Sequence, residues 1–62
     1  MTHILKFFEY DHLPERVQPV SKAVYHLAHV MENTLEDSAE KSAGLRKLLE
    51  AKDCFIRANL GN

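Results

Sequence analysis

The sequence predicts an all-α fold: an antiparallel αα-hairpin with a short apolar N-terminal arm, assembled into a homo-oligomer. Three observations predict it. Two stretches, residues 17–35 and 44–60, repeat apolar residues at three- and four-residue steps, the mark of a helix with one buried face. Between them lies "EDSAEKSAG", a turn so short that the two helices must lie side by side and antiparallel. Finally, 62 residues are too few to build an ample core, so the chain needs a disulfide, a structural metal or association with other chains. Cys54 is the sole cysteine and cannot pair within the chain, which removes the first option.

Residues 1–62 read as one domain. The arm, residues 1–13, is "MTHILKFFEYDHL" and holds Phe7, Phe8 and Tyr10, three of the five aromatics. Neither alternation nor a helical period fits it, so extended chain and a single helical turn both remain open. A segment this apolar must pack on a neighbouring helix or chain.

Helix 1 is expected over about residues 14–35. Pro14 suits a first helical position and Glu15 favours the first turn. Pro19 opposes the carbonyl of Glu15, so either a kink or a short opening turn precedes the main helix, which then starts near residue 20. Val17, Val20, Val24, Leu27, Met31 and then Thr34 or Leu35 form a seam for a parallel or antiparallel neighbour, widened by Ala23, Ala28 and Val30. Lys22, His26, His29 and Asn33 share the opposite side.

The turn covers residues 36–38. Asp37 with Glu40 has the capping-box form, and Ser38 is the other candidate N-cap. Helix 2 runs over about residues 39–59 and ends on the glycine of "LGN". Its apolar face comprises Leu45, Leu48, Leu49, Phe55, Ile56 and Leu60 and spans roughly 140° at 100° per residue, with Lys52 near its middle and Asn59 beside it. A charge there either lays its methylenes along the face and carries its ammonium to the surface, or meets an acceptor in a pocket closed by another subunit. Gly44, Ala51 and Ala58 recur every seven residues on a flank of the same helix, where a further helix can approach closely.

Charge and motifs exclude several functions. Eight basic against nine acidic residues give a net charge near −1, without the basic excess that a nucleic-acid polymer requires. The same balance, with only two helices, opposes a DNA-binding regulator. No stretch is apolar enough for a membrane span, no signal peptide leads the chain, and a lone thiol fits a cytoplasmic protein. His26 and His29 lie three residues apart on one helix side but lack a third ligand, so no metal is expected. Without a nucleophile–base pair, a phosphate loop or a CxxC, the sequence reads as a non-enzyme with no cofactor. A small anion is different, because a few cations suffice to hold it. Arg46 and Lys47 open helix 2, Arg57 lies three turns further on, and Tyr10 and His12 offer flat surfaces for stacking. Together they suggest a pocket between subunits.

"YDHLPERVQPVSKAVYHLAH" (residues 10–29) and "EKSAGLRKLLEAKDCFIRANL" (residues 40–60) resemble the helical-hairpin domain of phage anti-CBASS and anti-Thoeris sponge proteins. The resemblance covers about four fifths of the chain. It implies a homo-oligomer, typically a hexamer, in the cytoplasm of an infected bacterial host. That oligomer would withhold cyclic di- or trinucleotides, or cyclic ADP-ribose isomers, from the immune effectors they activate. Leu45, Lys47, Leu48, Glu50, Ala51, Ala58 and Asn59 answer the family's helix 2, with Arg46 where threonine is frequent. Tyr10 and Lys22 answer an aromatic and a lysine at the start of the family hairpin. The resemblance thus implies a ligand site of Tyr10 and His12 at the base, Lys22, Arg46 and Lys47 at the phosphates, and Asn59 at a base edge or a neighbouring subunit. The alternative is a helical protein-interaction module that inhibits a host protein by direct binding.

Overall fold

Pro19 decides where the first helix begins. In the computed structural model, which describes residues 3–61, a 3-10 turn at Glu15–Val17 precedes helix α1, Gln18–Thr34. The proline thereby falls in the first turn of α1, where its missing N–H leaves no helical bond unmade. The N–H of Gln18 donates to Glu15 O, the carbonyl that Pro19 could not have served. Helix 1 is thus shorter than the expected 14–35, and the opening turn, rather than a kink, absorbs the proline. Gln18 Nε2 also donates to Leu13 O at 2.7 Å, fixing the entry of the chain.

Helix α2 spans Ala39–Asn59, matching the expected bounds. Ser38 is its N-cap, its hydroxyl accepting from the N–H of Lys41 at 3.0 Å. Asp37 serves a different group, described below. At the far end Leu60 caps the helix and Gly61 follows at φ 92°, the left-handed geometry that favours glycine there. The arm forms a 3-10 helix, His3–Phe8, which resolves the choice left open by its sequence in favour of helical turns. Met1, Thr2 and Asn62 lie outside the described residues.

The arm packs on both helices of its own chain. Leu5 and Phe8 join Val24, Ala28 and Leu45 in the buried cluster, ringed by Ile4, Tyr25, Met31, Leu48 and Leu49. This third element rotates the buried side of α1 away from its expected seam. Val17, Ser21, Val24 and Ala28 are buried, while Leu27 and Val30 are 46% and 52% exposed. The reason is geometric: α1 must face α2 and the arm at once, so the centre of burial shifts toward Ser21, Tyr25 and Ala28. The small side chains of Ser21 and Ala28 let the helices approach. A similar correction applies to α2, where Leu45 is buried and Phe55 and Leu60 stand open to solvent. The hairpin therefore has one side covered by the arm and one side that no described residue covers. Its long dimension, 35 Å, is close to the roughly 32 Å of a 21-residue helix, so α2 sets the length of the molecule.

Candidate functional site

Two lysines on the buried stripe of α2 organise the polar chemistry. Lys41 and Lys52 are eleven residues apart, about three turns, so they share one face with Leu45 between them. Lys52 is 7% exposed and its ammonium donates to Phe7 O, the carbonyl at the end of the arm's 3-10 helix. The acceptor lies in the same chain. Lys52 neither carries its charge to the surface nor waits for a second subunit; it fastens the arm.

Lys41 works at the turn. Its ammonium donates to Glu32 O at 2.9 Å and Leu35 O at 3.0 Å, both carbonyls at the end of α1. It also donates to Asp37 Oδ1 at 2.9 Å and pairs with the carboxylate of Glu32. The Lys41 and Glu32 side chains are both almost fully enclosed, whereas Asp37 is open to water. The hydrogen bonds to Glu32 and, next, to Asp37 raise the lysine's pKa above its ordinary 10.5. A single residue thus closes both helix ends across the turn, its backbone held by Ser38 and its side chain by α1. Lys41 was not singled out in the sequence, although its place on the 41–45–48–52 stripe, with Asp37 four residues before it, carried the signal.

The sequence-predicted ligand residues divide into three groups. Tyr10 meets Tyr25 edge-on, with ring centroids 5.3 Å apart, and Tyr25 in turn lies 4.3 Å from the His29 ring and 5.7 Å from that of His26. Lys22 is exposed one helical turn before Tyr25 and His26, on the same side of α1. His12 is exposed in the turn that follows Tyr10, where the N–H of Leu13 donates to Tyr10 O at 3.0 Å. Tyr10, Tyr25, His26 and His29 thus make one aromatic cluster centred on Tyr25, with Lys22 one helical turn before it on α1.

Arg46 and Lys47 are both exposed on α2 and diverge by about 100° around its axis. Asn59 lies thirteen residues beyond Arg46, about 20 Å along the helix. Its amide donates to Arg16 O at 3.3 Å, while Arg16 Nη2 donates to Leu60 O at 3.4 Å, so this pair ties the end of α2 to the opening 3-10 turn. The six residues form no single pocket within one chain.

A cavity lies elsewhere. It measures about 450 Å³ and lies at the turn end of the hairpin, lined by Met31, Leu35, Gly44, Leu45 and Leu48, with Glu36, Ser38, Glu40 and Lys41 among its polar lining. None of the six expected ligand residues lines it. Among the described residues no three histidines, cysteines or carboxylates gather as a metal site would require. No helix among them is long and apolar enough to cross a membrane. Cys54 is exposed, with Arg57 Nη2 at 3.4 Å from its sulfur. Comparison with known protein families, with curated proteins and with solved structures finds no match to this chain.

Proposed function

We propose that this protein is a phage anti-defence sponge. It binds a cyclic di- or trinucleotide, or a cyclic ADP-ribose type of signal, in the cytoplasm of an infected bacterium, and withholds it without carrying out a reaction. The sponge is a homo-oligomer, a hexamer on the pattern of the family its sequence resembles. The observation that carries this reading is the Tyr10–Tyr25–His29 cluster with Lys22 one helical turn before it on α1. Such a cluster matches the two halves of a nucleotide, a flat base that stacks on aromatic rings and a phosphate that pairs with a cation. Arg46 and Lys47 stand on the solvent side of α2, and they reach the same ligand only from another copy. The site is therefore completed between subunits.

Native mass spectrometry with a panel of cyclic di- and trinucleotides and cyclic ADP-ribose isomers tests the proposal. A homo-oligomer that gains discrete ligand masses supports it, and Lys22→Ala should then weaken binding at least tenfold while leaving the assembly intact. A monomer that gains no ligand mass overturns it. The second reading, a module that docks on a host protein, is favoured by the open apolar residues Leu27, Val30, Leu35 and Phe55.

A further inference from the structure

The bare side of the hairpin has a defined layout. On α2, Gly44, Leu48 and Phe55 follow one another at steps of four and seven residues, which places them on one line along the helix. The cavity sits at the turn end of that line, walled by Gly44, Leu45 and Leu48 of α2 and by Met31 and Leu35 from α1 and its end. Phe55, 52% exposed, stands at the other end, about three turns from Gly44. One end of the line is thus an open, largely apolar hollow and the other an unburied phenyl ring. An ideal Cβ on Gly44 meets nothing within 4 Å, so the hollow is open where that residue forms its wall.

Charge follows the same order. The hollow is edged by the carboxylates of Glu36 and Glu40. The far end carries Arg16, whose guanidinium rests on the carbonyl of Leu60.

We propose that the occupant of the hollow is Phe55 of a second copy of this chain, in a two-fold antiparallel pairing of α2 with α2. A two-fold axis crossing α2 near Glu50 sets Phe55 opposite Leu45, and so in the hollow. The same axis brings the Leu60 end of α2, with the Arg16 guanidinium on its carbonyl, level with Glu40 of the second copy. Ring and hollow fix the axis, guanidinium and carboxylate then fall at one level under the same symmetry operation, and each contact is made twice. Self-complementarity of this kind favours a second copy over an unrelated partner. The pairing gives the homo-oligomer proposed above its first contact. It rests on that part of the reading and not on nucleotide binding.

The test is sedimentation equilibrium of the full chain without ligand, at concentrations from about 1 to several hundred micromolar. Wild type should associate, and Phe55→Ser should weaken the association at least tenfold. Gly44→Leu should do the same by filling the hollow from within its own chain. Because leucine favours helix over glycine and a Cβ at this position meets nothing within 4 Å, Gly44→Leu should fold at least as well as wild type by circular dichroism. Arg16→Glu and Glu40→Arg should each weaken association, and the two together in one chain should restore it. A wild-type monomer throughout overturns both this contact and the homo-oligomer. An assembly that Gly44→Leu and Phe55→Ser leave unchanged overturns this contact alone, and the sponge then assembles through another face.

Discussion

The two ends of the hairpin solve the same problem with unequal means. Each end carries a lysine buried on the same stripe of α2. At the turn, Lys41 meets two carbonyls and two carboxylates, so its charge is neutralised as well as hydrogen-bonded. At the arm, the acceptor described for Lys52 is the single carbonyl of Phe7. A buried ammonium with a dipole for its partner is held less firmly than one with anions, because the attraction to a dipole falls off faster and offsets less of the lost hydration. The lesson is that the turn is built to be rigid by electrostatics, while the arm end depends on apolar burial. Phe8 and Leu5 supply that burial.

The largest effect should therefore come from the arm's apolar anchor. Phe8 is 0% exposed and among the largest fully buried side chains of the chain. Phe8→Ala should cost about 3–5 kcal/mol. Small domains as a class have only about 5–15 kcal/mol to lose. The variant should be largely unfolded at 37 °C, with an early loss of helical circular dichroism on heating. A change below about 1 kcal/mol would break the comparison, because the arm would then hang on Lys52 rather than on its own apolar contacts.

How far the sequence reveals this arrangement differs from element to element. The bounds of α2 are legible because Ser38 and Gly61 mark them with local chemistry that needs no tertiary partner. The start of α1 is half legible: Pro19 announces a disturbance, but only the structure shows that a 3-10 turn resolves it. The seam of α1 is misread for a physical reason. Periodicity places the apolar centre on the hydrophobicity of one helix, whereas burial is set by everything packed against it. The arm has no period of its own, so the sequence could not say which side of α1 it would cover. Once it covers the Tyr25 side, Leu27 and Val30 are left outside. Of the expected ligand residues, Tyr10 of the arm meets the Tyr25 ring of α1, and Lys22 lies one helical turn before that ring. Arg46, Lys47 and Asn59 do not join them, since their helix turns them elsewhere. Lys52 is legible as a position and illegible as an interaction, because its acceptor lies forty-five residues away in the sequence.

The comparison of the two lysines is sharpened by replacing each with methionine, which keeps the length and removes the charge. Lys52→Met leaves Phe7 O without its donor, a loss of about 1–3 kcal/mol. Relief from burying an ammonium offsets part of that, so a fall in melting temperature of a few degrees is expected. Lys41→Met should cost more, since it removes at once the cation beside the enclosed carboxylate of Glu32 and the donor to two helix-end carbonyls. The pH dependence separates them further. The pKa of Lys41 is raised on folding, so its contribution is fully present below the unfolded value of 10.5 and is lost as pH climbs through the folded one. Urea melts at pH 9 and pH 11.5 should show wild type losing stability over that interval, and Lys41→Met losing less. An equal loss in both would mean that the charge of Lys41 adds nothing to the turn.

The smallest expected effect probes whether the turn acts as one unit. Ser38→Ala removes the hydroxyl that accepts from the Lys41 N–H and should cost about 1 kcal/mol, the usual worth of such a cap. If the cap and the ammonium acted separately, Ser38→Ala and Lys41→Met would add in the double variant. They share a residue, however: the cap fixes the backbone from which the Lys41 side chain reaches back to α1. Once the ammonium is gone, the first turn of α2 frays at less cost, so the double variant should lose less than the two singles together. A coupling of about 0.5 kcal/mol or more in urea melts at neutral pH is the expected result. Strict additivity would mean that α1 positions Lys41 without help from Ser38, and the rigidity of the turn would then rest on the ammonium alone.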